Sequence, residues 1–246
     1  RSYTIGFDKK NLRESPASLF YRKRADFFDE SSHVMYKNIH LVRSVLNGIA
    51  PASGAVPTIE YPALKEIPGS ESLTNFLSAG HLETKKFIIL NVGGGWQTKL
   101  LDNSQYITIV NELRQRQKKG NQIVILWGNE REKKTAQKIS RETGAIMTDF
   151  MSFSDLIRFI KRSRFIITAD TLPLHIADMV GTPSLGIFGP TSPHRNGSLL
   201  EESSAIYEKL PCNFCYKKKC GKMECLKNLN IKNIIHTIEK IDEKCG

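Results

Sequence analysis

The chain has 246 residues, 40% of them apolar, and a formal net charge of +11. This is the composition of an ordinary soluble globular protein, with room for one large or two modest domains. No run of about eighteen apolar residues occurs, so a membrane-spanning helix is excluded. The positive charge implies attraction to something acidic, whether nucleic acid, an anionic membrane face or a phosphorylated substrate, unless the lysines are simply solvated helix faces. The first residue is Arg1, and no basic segment leads into an apolar one there. The expectation is therefore a chain that starts mid-protein or was processed.

In chain order, residues 18–24 and 36–46 read as helical pieces, the second with Ile39, Val42 and Leu46 at helical spacing. From residue 47 to 70 the prolines Pro51, Pro57, Pro62 and Pro68, with Gly54 and Gly69, break any helix. This stretch reads as a linker with at most one extended piece over 58–61. The boundary therefore falls at about residue 70, between a small domain over 1–70 and a larger one over 71–246. A short helix over 71–79 then leads into a clean alternation. Strands are expected over 87–92, 122–127, 145–148, 165–168 and 184–188, with helices over 104–118, 130–143, 153–162 and 174–180 between them. Strands alternating with helices in this way specify βαβ units and an α/β fold with a doubly wound, Rossmann-like parallel sheet buried on both faces. Ligands of such sheets sit beyond the carboxyl ends of the strands, which directs attention to four loops.

The first loop is Gly93-Gly94-Gly95, with Thr98 and Lys99 close behind. Either it is a mere tight turn, or its backbone N–H groups approach a phosphate that a nearby ammonium neutralises. Its lysine does not stand directly before a Ser or Thr, so it is not a Walker motif. In the second, Trp127-Gly128-Asn129-Glu130-Arg131-Glu132, the carboxylates either stabilise a helix N-terminus or bind ribose hydroxyls. The third, Ala169-Asp170-Thr171-Leu172-Pro173-Leu174-His175, places Asp170 or Thr171 as a helix cap, or else presents the N–H groups of that turn to a diphosphate or sugar. The fourth, from Phe188 to Gly197, is an ordered surface loop rich in Gly and Pro on the same side of the sheet.

Taken with Val180-Gly181-Thr182-Pro183 and Phe188-Gly189-Pro190-Thr191-Ser192-Pro193, these loops resemble glycosyltransferase family 9, the ADP-heptose:lipopolysaccharide heptosyltransferases. The resemblance runs from about residue 87 to 197. Gly6-Phe7-Asp8 and Ala17-Ser18-Leu19-Phe20-Tyr21 resemble the closing portion of that family's first domain, which makes residues 1–70 the remnant of an acceptor-side domain. The resemblance implies a two-domain GT-B architecture whose carboxy-terminal domain binds ADP-heptose and whose first domain binds a lipopolysaccharide precursor. It further implies inverting, direct displacement onto the inner core, with no cofactor required, on the cytoplasmic side of a bacterial inner membrane. Carried over by position, Lys99 contacts the diphosphate with Thr98, Gly94 and Gly95 beside it. Asp170, Thr171 and His175 surround phosphate and sugar, Lys99 and Asp170 being the catalytic pair. Glu132 reaches the ribose and Met151 the adenine, near Gly128. This chain has Leu172 where the family usually has Gly. The family's general base is an Asp near the start of the first domain, so the expectation is a chain that binds donor but lacks transferase activity by itself.

Cys212, Cys215, Cys220 and Cys225 stand in a C-x2-C-x4-C-x4-C pattern, with Lys217, Lys218, Lys219 and Lys222 between them and Phe214 and Tyr216 interleaved. This is the spacing of a zinc knuckle with Cys at the third position. A zinc-stapled lobe that binds nucleic acid is accordingly the rival class. The alternative is four reduced thiols in a basic tail whose acidic partners are lipid A phosphates and anionic lipids, with no metal and no nucleic acid.

Overall fold

The computed structural model describes residues 4–12, 14–46, 69–116 and 121–245. The chain divides into two compact units, residues 1–60 with 194–196, and residues 61–193 with 197–246. The expected linker and its extended piece over 58–61 lie outside the described residues, apart from Gly69 and Ser70.

In the first unit, β1 (Ile5–Gly6) pairs in parallel with β2 (Lys23–Arg24), and α1 spans Val34–Leu46. The helix expected over 18–24 does not form. A 3-10 segment, Ser15–Phe20, takes its place, and the backbone then turns extended into β2. The six residues after Pro16 up to Arg22 give too short a run to offset the cost of helix nucleation, whereas pairing with β1 satisfies the backbone directly. Glu30 organises this unit. It accepts hydrogen bonds from Lys37, from Asn11 at 2.8 Å and from Arg195, which belongs to the same unit.

The second unit is built from the apolar runs. Helix α2 (Glu71–Ala79) is followed by β3 (Phe87–Asn91), α3 (Asn103–Arg116), β4 (Gln122–Leu126), α4 (Glu130–Thr143), β5 (Ile146–Met147), α5 (Phe153–Arg162), β6 (Ile166–Ala169), α6 (Leu172–Val180) and β7 (Ser184–Ile187). The chain continues through α7 (Pro193–Asn196), β8 (Ser204–Ile206), α8 (Glu224–Lys227) and α9 (Ile231–Lys244). Six strands pair in parallel in the order β5-β4-β3-β6-β7-β8. The order runs outward in one direction from β3 and in the other from β6, so the topological switch point lies between these two strands. In doubly wound sheets that is where a ligand binds.

Period-two alternation sends successive strand residues to opposite cores. Ile88 and Leu90 of β3 face α3, α4 and α9, while Phe87 and Ile89 face α2, α5 and α6. Helices α4 and α6 each end at a glycine in the left-handed region, Gly144 at φ 69° and Gly181 at φ 68°, a conformation glycine adopts without a Cβ clash. The Ser70 side chain caps α2, and its N–H and hydroxyl also donate to Asp155 at 3.1 and 3.0 Å, tying α2 to the first turn of α5. Among the described residues no helix is long and apolar enough to cross a membrane.

Beyond the expected elements, the region that carries the Cys-rich basic tail also contains β8 and the amphipathic α9. The isoleucines Ile234, Ile235, Ile238 and Ile241 are all buried, and Arg164 holds the end of α9 through the Asp242 carboxylate and, at 2.8 Å, its carbonyl. Replacing Ile238 with Ala should destabilise the second unit by about 2–5 kcal/mol, the usual cost of a large-to-small change in a closed core, read as a lower denaturant midpoint at unchanged slope.

Glu30 supplies a pH test. Burial favours its neutral form, but hydrogen bonds from Lys37, Arg195 and Asn11 outweigh this and lower the pKa from 4.5 to about 2. Because the folded value is depressed, its stabilisation is present above pH 4.5 and is lost as pH falls toward 2. Carbon-detected NMR titration should find the Glu30 midpoint near 2, and a midpoint near 4.5 would contradict the buried network.

Candidate functional site

Beyond the carboxyl ends of β3 and β6 the loops meet in a cavity of about 340 Å³, lined by Gly93, Gly94, Gly95, Trp127, Glu132, Met151, Thr171 and Leu172 among others. Two buried polar side chains hold its floor. Asn91, the last residue of β3, places Nδ2 3.0 Å from the Gly93 carbonyl, 2.9 Å from Thr168 Oγ1 and 3.2 Å from Thr171 Oγ1, and its Oδ1 accepts from the Gly93 N–H at 3.1 Å. One amide thus joins the glycine turn to the loop after β6. Asn91 lies within the strand expected over 87–92, and nothing in that apolar pattern assigns it a role. Its signal was a lone amide closing the run Phe87-Ile88-Ile89-Leu90 directly before the glycines.

Glu132 does the corresponding work on the other side. Asn129 caps α4, accepting from the N–H groups of Arg131 and Glu132. This places Glu132 at the third helical position, where a carboxylate ordinarily reaches back to its own cap. Here it reaches further. Its Oε1 accepts from the Gly94 N–H at 3.0 Å and from Asn129 Nδ2 at 2.6 Å, and its Oε2 accepts from the Gly128 N–H at 2.8 Å. The carboxylate is 5% exposed and lines the cavity from beneath. A Cβ on Gly93 would stand 2.4 Å from Glu132 Oε2, so glycine is required there by the carboxylate. Gly94 packs against Leu100 and Thr171, whereas nothing lies within 4 Å of a Cβ on Gly95, which faces open space.

The charged centre lies in the loops after β3 and β6, whose neighbouring residues Gly95 and Thr171 line the cavity. Lys99 Nζ donates to Asp170 Oδ2 at 2.9 Å and to the Asp170 carbonyl at 2.8 Å, and His175 Nε2 lies 3.7 Å from Asp170 Oδ1. Burial raises the Asp170 pKa, but His175 and Lys99 outweigh it and hold the carboxyl well below the usual carboxylate range, so it remains an anion. Lys99 also lies 4.6 Å from the centre of the Trp96 ring. Thr171 is the cap residue of α6, yet its side chain makes no capping hydrogen bond; Pro173 has no N–H and the Leu174 N–H donates to the Thr171 carbonyl at 3.1 Å, so what the start of this helix offers an anion is its dipole and the Leu172 N–H. The Asp170 carboxylate, which could have capped the helix, instead receives Lys99 at Oδ2 and stands beside His175 at Oδ1.

The remaining expected residues are placed as follows. Met151 and Gly128 line the cavity, and Trp127 is fixed by its Nε1–H to the Thr148 carbonyl at 2.7 Å, with Phe150 tilted against it at 6.1 Å. Leu172 is 54% exposed at the rim, so its side chain projects outward where the family's usual Gly has none. Thr98 is buried and its hydroxyl donates to the Lys217 carbonyl at 2.9 Å. The five cysteines are free, and among the described residues no group of three or more His, Cys, Asp or Glu side chains is placed to hold a metal ion. The zinc-knuckle alternative therefore finds no ligand cluster. Cys212, Cys215 and Cys220 are exposed and Cys225 is half-buried.

Comparison with known proteins accords with this geometry. The chain is 30% identical over 202 residues to lipopolysaccharide heptosyltransferase 1 of Campylobacter coli, covering 78% of this chain and 56% of that protein. It is 25% identical over 217 residues to lipopolysaccharide heptosyltransferase 1 of Pseudomonas aeruginosa, covering 87% and 56%. The chain thus spans little more than half the length of these relatives. Among solved structures, E. coli heptosyltransferase WaaC with ADP matches at a TM-score of 0.65 and 17% identity, covering 96% of this chain and 65% of that one. The fold is that of the GT-B heptosyltransferase structures. The model of glycosyltransferase family 9 (heptosyltransferase) matches residues 1–226, and the chain belongs to that family.

Proposed function

We propose that the second unit binds ADP-heptose, and that the whole protein transfers the heptose to the inner core of lipopolysaccharide. The observation that carries the reading is the cavity at the β3–β6 switch point, lined by apolar side chains and glycine turns, with the Lys99 ammonium held by Asp170, the residue before the cavity-lining Thr171. Trp127, Met151 and Leu156 offer an apolar face to a base, and Glu132 lies beneath the position of a ribose, its carboxylate oxygens already receiving three protein donors. Gly94 and Gly95 allow close approach of a diphosphate, with Lys99 and the uncapped start of α6 beside it. The names of the relatives support heptose as the sugar, and the ADP in the solved neighbour supports the nucleotide.

In the reaction proposed, an acceptor oxygen attacks the anomeric carbon from the face opposite the diphosphate. The carbon–oxygen bond to the diphosphate breaks, and the sugar inverts. Negative charge grows on the departing phosphate, which Lys99 and the start of α6 are placed to stabilise. Asp170 serves by aiming Lys99. A carboxylate held so far below its usual range by its neighbours is a weak base, so deprotonation of the acceptor is not assigned to it. His175 and Thr171 are positioned for phosphate or sugar hydroxyls. The surplus of basic side chains supports peripheral contact with the anionic cytoplasmic face of the inner membrane, where the acceptor carries its own phosphates.

Calorimetry should show the chain binding ADP in the micromolar-to-millimolar range. Lys99→Ala should weaken this by more than tenfold, about 2 kcal/mol for one lost charge-assisted contact, and Asp170→Asn should weaken it less because the ammonium remains. Absence of ADP binding by the unaltered chain at millimolar concentration, or unchanged affinity in Lys99→Ala, would sink the donor-site reading.

A further inference from the structure

The cysteine-bearing segment over 211–223 is not a free tail. Its Tyr216 N–H donates to the Pro190 carbonyl at 2.8 Å, and its Lys217 carbonyl receives the hydroxyl of the buried Thr98 at 2.9 Å. Tyr216 adopts a left-handed backbone at φ 54°, and Phe214 does so at φ 59°, turns that a non-glycine residue takes only where the surroundings hold it. Two successive anchors therefore fix the strap against the loops after β3 and β7. The next residue, Lys218, extends its ammonium to 5.3 Å from the Trp96 ring centre. Lys99 lies 4.6 Å from the same ring centre.

Two cations that share one indole beside Gly94 and Gly95 differ in one respect. Lys99 is answered by the Asp170 carboxylate at 2.9 Å, so that pair is close to neutral. Among the described residues no carboxylate pairs with Lys218. A diphosphate brings more negative charge than a neutralised lysine can match, and a cation that lacks an anion at this place is complementary to it. We propose that Lys218 is a second diphosphate-binding cation, carried to the donor site by the strap and aimed by Trp96. This rests on the donor-site reading above. The ligand class is a nucleoside diphosphate, free or bearing a sugar, and the distal phosphate is the group contacted.

The test compares ADP with AMP on the full chain for the unaltered protein, Lys218→Ala, Lys218→Arg and Lys219→Ala. Lys218→Ala should weaken ADP about tenfold and AMP no more than about twofold, which collapses the preference for the diphosphate. Lys218→Arg should restore most of the loss, since a guanidinium binds phosphate as well. Lys219→Ala should stay within about twofold for both ligands, and melting temperatures should be unchanged because both lysines are exposed. Equal ADP affinity in Lys218→Ala and the unaltered chain would overturn the proposal. So would an equal loss in Lys219→Ala, which would reduce the effect to general charge. Failure of the unaltered chain to bind ADP would instead overturn the donor-site reading itself.

Discussion

A single buried carboxylate holds the site together. Glu132 sits in the first turn of α4, where the helix dipole favours negative charge, and it collects the N–H groups of Gly94 and Gly128 and the amide of Asn129. Without it, two glycine-bearing loops would each lose the acceptor that ties their backbone N–H to the other, at a cost of about 0.5–1.5 kcal/mol per hydrogen bond. With it, the loops after β3 and β4 are locked at a fixed separation. The adjacent Gly93 exists in the form it does because no Cβ fits beside the carboxylate. Asn91 completes the arrangement on the β6 side, so three loops from three strands become one rigid surface.

That rigidity is what makes the Lys99–Asp170 pair useful. Burying two charges is unfavourable unless their geometry is good, and here the ammonium also donates to the Asp170 carbonyl. The pair contributes less as a source of stability than as a way of fixing where an ammonium stands. A flexible lysine would have to be ordered by its ligand, whereas this one is ordered beforehand. The α6 N-terminus contributes in the same way, its dipole held at a fixed place by Pro173 and with no capping bond from the Thr171 side chain.

The fold reflects a division of labour between its two cores. The β-strands are apolar on both faces, which commits helices to both sides and leaves only the loop ends for polar groups. The face covered by α3, α4 and α9 carries the elements that hold the glycine loops. The face covered by α2, α5 and α6 carries the loop with Asp170 and His175. The strap over 211–223 is tied to the loop after β3 through the Thr98 hydroxyl.

The sequence by itself determined the alternation of strands and helices, the parallel sheet and the four loops, because apolar periodicity and glycine placement are local properties of the chain. It also determined that Lys99, Asp170 and Thr171 belong to one edge, since the carboxyl ends of parallel strands all point the same way. Helix α9 is legible in the same way, since Ile231, Ile234, Ile235, Ile238 and Ile241 carry a helical period. The tertiary structure alone decided which partner each polar group takes. Glu132 could cap its own helix or bind ribose on sequence grounds, and only the approach of the Gly94 loop gives its carboxylate a third claim. Asp170 could cap α6, and only the reach of Lys99 across the switch point turns it away. The four cysteines have ligand spacing along the chain, yet the strap that carries them is docked through the Pro190 carbonyl and the Thr98 hydroxyl, contacts that their spacing does not announce. Pairings of this kind join residues far apart in sequence, and spacing along one segment carries no information about what a second segment brings to meet it.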